Sequence, residues 1–336
     1  MKSVSIKDIA NQVGVSTTTV SFVLNGKARE KRISEDLKNE ILRIAEKLNY
    51  RPNQVARGLR TGQTHTLGLI IEDISNPFFG NLAKVVEEEA DKWGYSVMFC
   101  STENKEARAS GLLTMLKHRQ MDGFIITPTP GLEADVRQLK EENRALVLID
   151  RFFPDLDTSY VTVDNFRGAY QATEYLIRNG YKRIGLVTVD SEQVQMKNRY
   201  SGFVRALAEH GITPEPGLVL PIPFEMGHDG SVDSISRFIS DQKPDAVFFT
   251  TNYLGVNGLE SIRLCGLTLP GDLGMVCFDD HDLFRLGRPS VTVVAQPIVD
   301  IARRAVESIL AQLKDRTIPR ESEKVMIQPM LLKRDT

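Results

Sequence analysis

Thr17, Thr18, Ser21 and Phe22 lie on the polar side of a short segment, 17–24, whose other side is Val20, Val23 and Leu24. Hydroxyls that donate and accept, grouped at the start of a helix, suit the edges of bases in a major groove. A plain helical hairpin would carry Glu and Lys on that side, whereas here it is rich in threonine.

Positioning such a face takes a second helix and a tight turn. Ser5 caps a first helix, with Asp8 three residues on, Gly14 gives the turn its permissive backbone, and Ser16 caps the second helix. Ile6, Ile9, Ala10 and Val13 then face Val15, Val20, Val23 and Leu24 as a shared core. The pattern is a helix-turn-helix. Ser34 caps a third helix, along which Leu37, Ile41, Ile44, Ala45 and Leu48 recur at helical spacing and close a three-helix head. The polar loop 26–33 carries Lys27, Arg29, Lys31 and Arg32, either solvated or set against phosphate. Pro52 disfavours helical geometry at Arg51, so the head spans 1–50 and a hinge and linker follow over 51–64. A helix as short as 54–59 needs a partner chain or DNA to hold it.

Charge divides the chain in the same place. Residues 1–62 hold 12 Lys and Arg against 6 Asp and Glu, and the remainder 30 against 38. Only the basic head is expected to meet phosphates. With 336 residues, 41% of them hydrophobic, the chain is long enough for two or three domains. Cys100, Cys265 and Cys277 are far apart and read as thiols in a reducing compartment. Neither a signal peptide nor a membrane span is evident, so a cytoplasmic location is expected.

From Thr66 onward, short apolar runs alternate with amphipathic stretches, as at 67–71, 123–127, 184–189 and 274–278 for strands and 166–178 and 298–314 for helices. That alternation implies an α/β core of two doubly wound parallel-sheet subdomains around a ligand cleft. The expected division is 65–160 with 292–318, and 161–291 with 319–336. No phosphate-binding glycine loop and no nucleophile elbow occurs, so neither an enzyme nor a cofactor is indicated. Asp279-Asp-His-Asp282 has no second His at a useful spacing and is not read as a metal site. A transporter's solute-binding protein is opposed by the head and by the missing signal peptide.

The chain resembles the lac-repressor (LacI/GalR) family of bacterial transcription regulators over essentially its whole length. The resemblance rests on Ile6-Lys-Asp-Ile-Ala10, Gly14-Val-Ser-Thr-Thr-Thr-Val-Ser21, Asn49-Tyr-Arg-Pro-Asn53, Ile74-Ser-Asn-Pro-Phe-Phe79, Asp150-Arg151, Asp164-Asn165, Arg199 before Gly202-Phe203, Phe278-Asp279 and Gln296-Pro297. It implies a periplasmic-binding-protein-like core and a homodimer whose heads each enter one half of a near-palindromic operator in double-stranded DNA. Ser16, Thr17, Thr18, Thr19, Ser21, Phe22 and Asn25 would form the reading surface. Val55, Ala56 and Arg57 would form a hinge helix, with Asn53 also on the DNA and Leu59 wedged between base pairs of the minor groove. Two features depart from the family: the 26–33 loop looks slightly long, and Phe22 stands where a polar reader often does. A ring has no hydrogen bond for a base edge, so Phe22 is expected on a thymine methyl.

The same resemblance places the effector against Asp150, Arg199, Asn252, Asp279 and Gln296, with Phe78, Phe79 and Phe224 as apolar walls. Two carboxylates, an amide pair and one guanidinium suit a neutral polyol, whose hydroxyls both donate and accept. A sugar or oligosaccharide is therefore expected, ahead of a phosphorylated sugar or a nucleobase. Arg151 either pairs with Asp150 or reaches an anionic ligand. Ligand binding would bias the hinge through a two-state linkage that suits induction and co-repression equally.

Overall fold

Asp8 accepts the Ser5 backbone N–H at 2.8 Å and so starts the first helix, Ile6–Val13. Gly14 ends it at φ +76°, in the left-handed region that a side chain would strain. The second helix is Thr17–Leu24 and the third Glu35–Lys47, begun by Ser34. Ile9, Val20 and Ile41 meet with no exposed surface and Ile44 beside them, each worth about 1.5–3 kcal/mol of burial. The 26–33 segment is a tight turn whose charged residues Lys27, Arg29, Lys31 and Arg32 are exposed. Lys31 N–H donates to the Lys27 carbonyl at 3.0 Å, and Ala28 plugs the head's core.

The computed structural model describes residues 4–50, 63–314 and 321–336. It divides into units 1–64 and 65–336. The hinge positions Asn53, Val55, Ala56, Arg57 and Leu59 lie outside the described residues. Among the described residues no helix is long and apolar enough to cross a membrane.

The larger unit is built on two six-stranded sheets. The first contains β1 (Thr66–Ile71), β2 (Ser96–Ser101), β3 (Gly123–Ile126), β4 (Ala145–Ile149), β5 (Tyr160–Val163) and β11 (Lys324–Ile327), in the order β11-β5-β4-β3-β1-β2 and all parallel. The second contains β6 (Ile184–Asp190), β7 (Val219–Pro223), β8 (Ala246–Phe249), β9 (Gly274–Phe278), β10 (Thr292–Ala295) and β12 (Met330–Leu332). Its order is β12-β10-β9-β8-β6-β7, with only β12 antiparallel. Central strands such as β4 and β9 are buried along their whole length, as parallel strands covered on both faces must be.

Each sheet repeats one doubly wound order, so ligand positions fall at the carboxyl ends of the strands. The chain crosses between sheets after β5, after β10 and between β11 and β12. This corrects the expected division: β5 and β11 belong to the first sheet, and β10 to the second. β5 pairs with β4 and β10 with β9, and an apolar run does not encode which strand it will pair with.

Candidate functional site

In the head, Thr19 N–H donates to Ser16 Oγ at 3.0 Å and the two hydroxyls lie 2.9 Å apart. Ser16 and Thr19 thus start the helix, with Ser16 still exposed. Asn25 Nδ2 donates to the Ser21 carbonyl at 2.7 Å and to Ser21 Oγ at 3.3 Å, which fastens its far end. Thr17 and Thr18 stay exposed on the first turn. Phe22 is half-buried, with the Lys31 ammonium 5.4 Å from its ring centroid. Loop and reading helix are therefore coupled through a ring that the lysine covers in part.

The core's polar cluster forms where the strands of both sheets end. Asp150 follows β4 and Asp279 follows β9, the fourth strand of each repeat, and both have positive φ, +66° and +72°. Non-glycine residues in that region cost energy and gather at functional sites. A three-residue turn aims Asp150, closed by Arg151 N–H on the Ile149 carbonyl at 2.7 Å.

Arg199 lies inside the helix Val194–Glu209 rather than at its start. That helix packs closely on Asn165–Arg178, where a Cβ on Gly202 would come 2.2 Å from the Phe166 carbonyl oxygen. The approach places Arg199 Nε 2.8 Å from Asn165 Oδ1. Nη1 donates to the Thr250 carbonyl at 2.5 Å and lies 3.8 Å from Asp279 Oδ2, and the guanidinium sits 3.6 Å from the Phe278 ring centroid. Such a guanidinium is fixed before any ligand arrives.

Asp150, Arg151, Arg199, Asn252, Asp279, Phe78, Phe79 and Phe224 line one chamber of about 40 Å³, room for roughly three water molecules. Glu72, Asn76, Phe224, Asn252 and Tyr253 wall both this chamber and a cleft of about 650 Å³. Gln296 lines a separate cavity of about 220 Å³ that also touches Phe78 and Asp279. Its Nε2 donates to Asp279 Oδ1 at 2.6 Å, so it acts on the chamber through that carboxylate. Asn252 Nδ2 donates to Asn76 Oδ1 at 2.8 Å, joining the two halves. Gln195 Oε1 is buried, and no partner for it is found among the described residues.

Burial pushes the Asp150 carboxyl up to about 6, against the pull of Arg151 and Arg199 and with the help of Glu72 and Asp279. Asp279 is raised by burial and held back by Arg199 and Gln296. The Arg199 guanidinium is lowered by burial, against the pull of Asp279 and Asp150.

Sequence reasoning missed Glu72, Asn76, Asn165, Gln193 and Tyr253. Glu72 left one signal, a charge directly after an apolar strand. The others sit in turns and first helical turns that periodicity does not mark.

Residues 5–53 match the family of bacterial regulatory proteins named lacI. Residues 64–220 match the periplasmic binding proteins and sugar-binding domain of that family, and 173–336 a periplasmic binding protein-like domain. The chain is 31% identical to the transcriptional repressor PurR of Aliivibrio salmonicida over 93% of each chain. With the ribose operon repressor of Haemophilus influenzae it shares 30% identity over 96% of this chain and 95% of the other. The fold matches the lac repressor dimer bound to operator and an anti-inducer at a TM-score of 0.87 and 19% identity, over 100% and 99% of the two chains. The chain belongs to the LacI family of bacterial regulatory proteins and is a DNA-binding transcriptional regulator rather than an enzyme.

Proposed function

We propose that the chain is a homodimeric, cytoplasmic repressor whose operator affinity is set by a neutral sugar or oligosaccharide held in the core. Residues 1–50 read one operator half-site, 51–64 act as the hinge, and 65–336 bind effector and partner subunit. Thr17, Thr18 and Phe22 contact base edges, while Ser16, Thr19 and Asn25 set the helix that carries them. Residues of the hinge, Asn53, Val55, Ala56, Arg57 and Leu59, meet the minor groove.

The observation that carries the effector class is the pairing of every chamber cation with a carboxylate or carbonyl, which leaves hydroxyl-sized donors and acceptors to recognise. The buried Gln195 Oε1 awaits a donor such as a sugar hydroxyl. The 40 Å³ chamber takes one edge of a ring and the 650 Å³ cleft the rest, a size within the range of ligand pockets. Effector and operator affinities are linked through the two core halves by about 1–3 kcal/mol, reciprocally.

Random-sequence duplexes captured on the purified protein, with and without a mixture of neutral sugars, test both parts. Enrichment of a near-palindrome whose retention the sugars change is the expected result, and no enrichment in either condition would sink the reading. In the same assay Phe22→Ala is expected to relax the preference at one thymine and to weaken binding to the selected operator. An unchanged sequence and affinity would make Phe22 a head-packing residue alone.

A further inference from the structure

Arg151 is 4% exposed, and each of its three guanidinium nitrogens donates a hydrogen bond. Nε donates to the Pro128 carbonyl at 2.6 Å, Nη1 to Gln193 Oε1 at 3.2 Å and Nη2 to Glu72 Oε2 at 2.8 Å. The neighbouring Asp150 carboxylate is farther off, at 3.8 Å. Glu72 is itself 8% exposed and directly follows β1, as Asp150 directly follows β4. The chamber thus holds Glu72, Asp150 and Asp279 against Arg151 and Arg199. Removing Glu72's charge would bring the two signs into balance. It would also leave the Arg151 guanidinium without its nearest counter-ion, so that its charge and its remaining N–H groups are open to a phosphate or carboxylate.

We propose that Glu72 determines the charge class of the effector, as the built-in counter-ion of Arg151, occupying the place that an anionic group on a ligand would otherwise take. This rests on the chamber being the effector site. It reaches beyond a preference for sugars, because it assigns the exclusion of anions to one side chain. A phosphorylated sugar entering the intact site would meet an uncompensated carboxylate, and its own anion would find no open cation. In Glu72→Gln the amide oxygen still accepts from Arg151, so the shape survives while the charge goes.

Calorimetric titration at one ionic strength tests this with inorganic phosphate, glucose 6-phosphate and neutral sugars, on the intact chain and on Glu72→Gln. The intact chain is expected to reject both phosphates. Glu72→Gln is expected to gain affinity for them on the order of a hundredfold, the effect of one unit charge a few ångströms away in a protein interior. Glu72→Asp, which keeps the charge, and Glu72→Gln combined with Arg151→Gln, which removes the fork, are expected to show no gain. Phosphate binding by the intact chain as tight as that of neutral sugars would overturn the proposal, whatever the variants' stability. So would a cooperatively melting Glu72→Gln with no gain. Failure of every neutral sugar to bind would count against the sugar reading alone, and a gain in phosphate affinity in Glu72→Gln would still uphold the role of Glu72.

Discussion

Arg199→Ala is expected to abolish the response of operator binding to effector while the effector-free protein still binds its operator. The side chain is 2% exposed, and it joins Asn165 on one helix, the Thr250 carbonyl after β8 and Asp279 after β9. Truncation removes the chamber's fixed fork and strands Asp279 with only Gln296 as a close partner. Breaking a buried pair in this way costs roughly 3–5 kcal/mol, so a lower melting temperature is expected as well. Loss of response could then be mistaken for general loosening. Arg199→Met combined with Asp279→Asn separates the two, since it replaces the pair with groups that carry no net charge. Stability is expected to return in the double variant and the response to stay lost. Operator retention measured with and without effector, beside a thermal melt of each variant, is the check. A normal response in Arg199→Ala would remove the chamber from the mechanism, and a response restored in the double variant would reduce Arg199 to a structural role.

The head was legible in the sequence because its determinants are local. Ser5 with Asp8, Gly14, Ser16 and Ser34 each act within four residues, and the apolar spacing of Ile9, Val20 and Ile41 reports the face each helix buries. Ala28 was not legible, since a small residue amid charges carries no pattern and is buried only through the turn that brings it inward. In the core, strands were readable as apolar runs, but membership of a sheet is a long-range property. The edge strand β7 is only partly buried, and β11 and β12 alternate weakly, so they were missed, and each of the three expected crossings falls one strand later than the sequence placed it. Asp150, Arg199, Asn252 and Asp279 were identified through resemblance, and the structure gathers them into one chamber. The Glu72–Arg151 ion pair joins residues 79 positions apart, and no local pattern encodes such a pair.

Asp150→Asn is expected to stabilise the fold and to weaken effector binding, two opposite effects from one atom. The folded carboxyl sits at about 6 against an ordinary value of 3.8, and burial is the main cause. A raised value means that the folded state holds its proton more tightly than the unfolded chain does. Below the ordinary value both states are protonated and the site costs nothing. As pH climbs toward 6 the unfolded chain ionises first, stability is lost, and above the folded value the penalty is complete at about 3 kcal/mol. An asparagine is isosteric, carries no such penalty, and is among the few side chains that tolerate the φ of +66° at this position. Denaturant unfolding of both proteins is therefore expected to show a gain of up to about 3 kcal/mol near pH 8 that shrinks toward zero near pH 4. A gain independent of pH, or a loss near pH 8, would mean that the carboxylate is better compensated than its burial implies. The same substitution turns one acceptor oxygen into a donor, so a ligand that gives two hydroxyl hydrogens to Asp150 would bind roughly tenfold to a hundredfold more weakly. Stability withheld from a buried acid and recovered as ligand affinity is the usual relation at a binding site. A variant both more stable and equally responsive would show that Asp150 shapes the turn without touching the effector.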